Sequence, residues 1–128
     1  MAGKFGKYID DMRRGRASDG GDILLKDIAQ AMGTSPTYLS DIVKGRRNPP
    51  DIELLEKIGS ALKLTQDERA YMLDLAGRER NEAAPDLPEY IMDENIPHVR
   101  VALRKANTKG LGNDFWERVA EKIDEEKG

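Results

Sequence analysis

Thr37, Ser40, Asp41 and Lys44 recur at i, i+3, i+4 and i+7, so on a helix they share one face. Hydroxyls donate and accept hydrogen bonds, a carboxylate accepts, and an ammonium donates. Short polar groups of this kind can reach base edges in a major groove, where each base pair shows its own pattern of donors and acceptors. Arg46, Arg47 and Asn48 follow directly after Gly45. Positive donors beside a polar helix face suit flanking phosphates. Asp41 fits least easily. Its carboxylate repels phosphate yet can accept from the cytosine amino group, and the structural alternative is a salt bridge to Arg46 or Lys44.

The stretch from residue 25 to residue 50, LKDIAQAMGTSPTYLSDIVKGRRNPP, supplies the elements that would hold this face. It reads as two short helices joined by a tight turn. Ile28, Ala29 and Met32 are the apolar positions of the first, and Leu39, Ile42 and Val43 those of the second. Gly33 stands where the first helix must stop, because a residue without Cβ enters the left-handed region freely. Ser35 offers an N-cap oxygen to the second helix, and Pro36 fits its first position, where no backbone donor is needed. This is helix-turn-helix syntax.

With those residues in view, the chain from about Phe5 to Ala76 resembles the Cro/C1-type (XRE) helix-turn-helix family of transcriptional regulators. The D-I-A-Q-A-M-G helix, the S-P-T-Y-L-S-D-I pattern and the K-G-R-R-N-P-P tail carry the likeness. The resemblance implies an all-α fold, a lambda-repressor-like bundle of about five helices. It also implies double-stranded DNA as partner. Carried over residue by residue, the expected DNA contacts are Lys26, then Ser35, Pro36, Thr37, Tyr38, Ser40, Asp41 and Lys44, then Arg46, Arg47 and Asn48. Two features depart from the family pattern. Leu25 stands where many members carry a polar residue, with Lys26 beside it as substitute. The connection GRASDGGD, residues 15–22, is longer than the usual short turn, and its glycines suggest a mobile surface loop.

Phe5, Tyr8, Ile9 and Met12 predict an amphipathic first helix from about Lys4 to Arg14. Arg13, Arg14 and Arg16 gather at its end, either as cations favoured at a helix C-terminus or as further phosphate contacts. After the motif, Pro49 and Pro50 stop any helix, and Asp51 caps the next, with Ile52, Leu55, Ile58 and Leu62 on one face. Thr65 and Glu68 form a capping box for a fifth helix. Gly77 ends its apolar pattern.

The expected domains are residues 1–80 for DNA binding, 81–88 as linker and 89–128 as a helical C-terminal segment. In that segment, Pro88 to Met92 predicts one or two helical turns, and His98 to Ala106 a helix broken by Gly110-Leu111-Gly112. Asn113 should cap the last helix. Val99 and Leu103 share one stripe; Phe115, Trp116, Val119 and Ile123 share another. Segments under ~40 residues rarely fold alone without a staple. The tail therefore docks on the bundle or pairs with the same tail of a second chain, and these six residues are the expected dimerisation set. A homodimer would read two half-sites. Small repressors of this family with such a tail are often inactivated by a dedicated metallopeptidase, so a regulatory protease is one further partner and a toxin another.

Composition bounds the rest. The 128 residues are 38% apolar and 35% charged, with a net charge of −3. The charge is unevenly spread: residues 1–50 hold 9 Lys/Arg against 6 Asp/Glu, while the remainder is acidic. A localised positive region over the motif is what a binding face requires. There is no cysteine, so disulfides and thiolate metal sites are excluded. No apolar run approaches membrane-spanning length, and a cytoplasmic protein is expected. His98 is the only histidine, and nucleophilic catalysis has no evident activating base. The expected protein is therefore not an enzyme and uses no metal or cofactor. It is a dimeric repressor of phage, mobile-element or stress-response type. An antitoxin-type autorepressor, or an interaction module with a degenerate helix-turn-helix, remains the alternative.

Overall fold

A computed structural model describes residues 3–127. Among them the regular structure is entirely helical: α1 Lys4–Arg13, α2 Leu25–Met32, α3 Pro36–Val43, α4 Ile52–Ala61, α5 Gln66–Glu79, α6 Pro88–Ile91, α7 Pro97–Lys109 and α8 Asn113–Glu125. The chain divides into two compact units, Met1–Pro88 and Glu89–Gly128.

In the first unit, α2 packs on α3 and α4, and α1 packs on α3 and α5. The side chains that meet there are those at helical spacing. Phe5, Ile9, Ile28, Leu39, Ile42, Leu55, Ile58, Leu62, Met72 and Leu73 are all fully buried. Burying each such side chain contributes ~1.5–3 kcal/mol. The boundaries follow local chemistry. Gly33 closes α2 in the left-handed region, φ 74° and ψ 27°. Ser35 Oγ accepts from Tyr38 N at 3.1 Å, and Asp51 Oδ1 accepts from Leu54 N at 3.2 Å. Thr65 Oγ1 accepts from Glu68 N at 3.2 Å while Glu68 Oε1 accepts from Thr65 N at 2.9 Å, a complete capping box.

Two glycines mark close approach rather than turns. A Cβ on Gly6 would stand 1.9 Å from the carbonyl oxygen of Val43, so only glycine lets α1 come this near the end of α3. Gly77 ends the apolar pattern of α5 but not the helix, which runs on to Glu79, with Asn81 at φ 59° just after. Gly77 is buried because residues 83 and 84 fold back over it; a Cβ would lie 2.6 Å from the Ala83 carbonyl oxygen. Glu82 N donates to Gly77 O at 2.8 Å, and Ala84 joins the core. The stretch read as a linker thus begins with a packed return.

The loop 15–22 also differs from the mobile segment its glycines suggested. Gly15 N donates to Asp22 Oδ1 at 3.0 Å, Gly20 N to Ala17 O at 2.9 Å and Ile23 N to Arg13 O at 2.8 Å. Arg16 fastens it to the bundle. Its Nη2 meets Glu68 Oε2 at 2.6 Å, and its Nη1 meets Glu68 Oε1 at 3.1 Å and the Leu62 carbonyl at 3.3 Å. The guanidinium hydrogen bond, followed by the Thr65 backbone donor, lowers the Glu68 carboxyl to about 2.

In the second unit, α6 is a single turn, and Arg100 Nη1 donates to the carbonyls of Ile91 at 2.6 Å and Asp93 at 3.1 Å. Gly110 ends α7 in the left-handed region, φ 68°. The cap of α8 is Gly112 rather than Asn113, and no side chain caps it. Asn113 already lies in the helix, so its side chain is one position too late to accept from the first-turn donors.

Candidate nucleic-acid interface

α3 is held firmly from behind. Leu39 and Ile42 are fully buried and Val43 nearly so. Gly6 brings α1 against its C-terminal end, and Pro49 and Pro50 are buried just beyond it. Arg80 Nη1 donates to the Pro49 carbonyl at 2.9 Å, which ties the end of α5 to the segment that follows α3. The helix is therefore a fixed support for whatever it presents on its other side.

That other side carries the polar residues. Thr37 and Lys44 are exposed, and Ser40 and Asp41 are half-buried beside them. Ser35 and Pro36 form the exposed start of the same helix, where Ser35 is spent as the cap. Lys26 is exposed in the first turn of α2. Lys44 closes α3, and Gly45, at φ 80°, turns the chain so that Arg46 N reaches the Asp41 carbonyl at 2.8 Å. Arg46, Arg47 and Asn48 then follow, all exposed.

The two arginines are positioned in different ways. Arg46 Nη1 lies 3.7 Å from Asp41 Oδ1, so the salt-bridge partner weighed for Asp41 is Arg46 and not Lys44. Its side chain is 69% exposed, and such a pair is worth ~0–1 kcal/mol in water. The guanidinium of Arg47 sits 4.9 Å from the centroid of the Tyr38 ring. A cation over an aromatic face gains ~0.5–1 kcal/mol at an exposed site. Sequence reasoning did not foresee this stack. Its only trace is an aromatic residue on the recognition helix with an arginine beyond the glycine turn.

The cations at the end of α1 are engaged. Arg13 Nε pairs with Asp10 Oδ1 at 3.0 Å, and its Nη1 donates to the Ile23 carbonyl at 3.4 Å. Arg14 Nη1 pairs with Asp11 Oδ1 at 3.3 Å and is largely exposed. Arg16, one of the three cations weighed either as a helix-end charge or as a phosphate contact, has both ends of its guanidinium occupied by Glu68 and by carbonyls after α4.

The six apolar residues expected at a dimer contact all belong to the second unit. Val99, Phe115, Trp116 and Val119 are half-buried; Leu103 and Ile123 are exposed. The Phe115 and Trp116 rings meet edge to face with centroids 5.0 Å apart. Among the described residues, no helix is long and apolar enough to cross a membrane.

Residues 12–72 match a family model described as a helix-turn-helix domain. The matched span begins at Met12 near the end of α1 and closes at Met72 in α5, so both helices of the motif lie inside it. No curated protein and no solved structure matches the chain. The first unit thus contains a helix-turn-helix domain, a class that binds DNA.

Proposed function

We propose that the chain is a sequence-specific transcriptional repressor of the Cro/C1-type (XRE) class, acting in the cytoplasm as a homodimer on an operator of phage, mobile-element or stress-response type. One observation carries this reading: the outward face of α3 is polar and short, and two exposed, weakly held arginines follow it. A helix whose free side served only solubility would carry Lys and Glu. Thr37, Ser40 and Asp41 instead offer groups that work only at close range.

The roles divide by chemistry. Thr37, Ser40, Asp41 and Lys44 meet base edges in the major groove, with Tyr38 and the exposed start of α3 at its rim. Arg46, Arg47 and Asn48 meet phosphates on one side, and Lys26 on the other. Arg14 is the residue at the end of α1 best placed to add a phosphate contact, since its weak exposed pair with Asp11 is easily exchanged. The apolar stripes of α7 and α8 join two chains, so that two copies of α3 read half-sites roughly 34 Å apart.

A gel shift on the promoter of the protein's own gene, backed by a genome-wide map of bound DNA, tests the reading. Selective retention of an inverted-repeat sequence is expected. Ala at Thr37, Ser40 or Asp41 should relax preference at individual base pairs, by ~1–3 kcal/mol where the side chain holds its base in good geometry. Equal affinity for all duplexes, unchanged by these substitutions, would remove α3 as the reading helix.

A further inference from the structure

α7 is the one helix among the described residues that carries no carboxylate. It holds Arg100, Arg104, Lys105 and Lys109, whereas α8 sets Arg118 and Lys122 among five carboxylates. The α7 cations stand one turn apart in like-charged pairs, Arg100 with Arg104 and Lys105 with Lys109. Like charges at i and i+4 repel and weaken a helix, and a helix built only for solubility relieves this with Glu at the same spacing. The helix C-terminus favours Lys109, which lies in the last turn, but Arg104 and Lys105 stand before it.

The cations divide by side. Arg100 is spent inside its own unit, on the carbonyls of Ile91 and Asp93. Val99, Leu103 and the buried Ala106 share one side of α7. Helical period puts Arg104, Lys105 and Thr108 on the opposite side, together with Val101, and all four are exposed. Arg104, Lys105, Thr108 and Lys109 line one open groove. Among the described residues, none of these three cations enters an ion pair.

We propose that this side of α7 is a second, sequence-independent binding surface for the phosphate backbone of duplex DNA. It rests on the reading of the chain as a DNA-binding protein, but not on α3 as the helix that reads bases. An open groove with long, flexible cations suits a backbone of repeated charge, and a duplex carries one phosphate charge per ~1.7 Å of its length. Phosphate accepts from the guanidinium, the ammonium and the Thr108 hydroxyl alike, and it screens the repulsion between the like-charged pairs. DNA is favoured over other polyanions because the same chain holds a helix-turn-helix domain, so a duplex bound there is tethered to α7 at high local concentration.

Arg104→Gln with Lys105→Gln on the full chain tests the surface, since it removes two charges and keeps helix propensity. Anisotropy on a specific and on a random duplex, across about 50 to 200 mM salt, should show the dependence of log affinity on log salt shallower by ~1.8 on both. Arg104→Lys with Lys105→Arg keeps both charges and should keep the wild-type slope. Sedimentation and circular dichroism of both variants should match wild type. An unchanged slope in the Gln variant overturns the proposal. A changed slope that comes with a changed oligomeric state overturns it too, because the residues then act between chains. An unchanged slope on DNA with lost binding to duplex RNA of the same length gives the surface to another polyanion and likewise overturns it. Ala at Thr37, Ser40 and Asp41 separates this surface from α3: base preference unmoved by those three substitutions overturns α3 as the reading helix and leaves the α7 slope standing.

Discussion

Replacing Arg46 and Arg47 together by alanine isolates what the two cations after α3 contribute. Both are exposed and weakly held, one by Asp41 at 3.7 Å and one over Tyr38 at 4.9 Å, so both are free to exchange these partners for phosphate. Removing one cation from a phosphate should flatten the dependence of log affinity on log salt by ~0.9, so a chain without either should show a slope shallower by ~1.8. Between about 50 and 200 mM salt, that difference amounts to roughly a twelvefold change in the ratio of wild-type to variant affinity. The weakening should fall equally on specific and random duplexes, because phosphate carries no sequence. Fluorescence anisotropy on both duplexes across this salt range measures it. A slope identical to wild type would exclude both residues as phosphate contacts. A weakening confined to the specific duplex would move them to the base edges instead.

Three further outcomes follow from the first unit. Glu68 is held near 2 by Arg16, so its share of stability is fully present above the ordinary carboxylate value of 4.5 and is lost as pH falls from there towards 2; in Glu68→Gln, urea midpoints measured over that window should depend less on pH. Gly6→Ala places a Cβ 1.9 Å from a backbone oxygen, which forces α1 away from α3 and should cost ~1–3 kcal/mol in chemical unfolding; a neutral or stabilising change would show that the approach is looser. A fragment ending at Pro88 should remain folded, since its core is its own, yet be monomeric by light scattering and bind an inverted repeat much more weakly than the full chain.

Much of the first unit was legible because its boundaries are local. Gly33, Ser35, Asp51 and the Thr65–Glu68 box act within four residues of themselves, and the observed helices begin and end on them. The polar face of α3 was legible for a similar reason, since helical period alone separates it from Leu39, Ile42 and Val43. What escaped depends on contacts across the chain. At Gly77 the apolar period ends, and nothing local says why a glycine should stand inside the helix; only the return of residues 83 and 84 explains it. The loop 15–22 looks mobile from its glycines, but Arg16 finds Glu68, 52 residues away. The Tyr38–Arg47 stack depends on how Gly45 turns the chain, which no spacing rule supplies.

The pairing of Asp41 with Arg46 bears on how such a face could discriminate. A carboxylate on a DNA-reading surface is a liability beside phosphate, so its presence needs a gain elsewhere. Off DNA, Arg46 partly neutralises it, and the pair is exposed enough to part at little cost. If the proposed reading holds, phosphate would draw Arg46 away on DNA and leave Asp41 as an acceptor on a rigid helix. An unpaired carboxylate in a groove is tolerated only opposite a donor, and the cytosine amino group provides one in the major groove. Opposite guanine or thymine it would meet further acceptors and be repelled. On the proposed reading, Asp41 therefore works chiefly by rejecting wrong bases, whereas Thr37 and Ser40 work by accepting right ones. An alanine at position 41 should then bind poor sites better without binding the best site much worse, the opposite of what removing a favourable hydrogen bond at Thr37 or Ser40 produces.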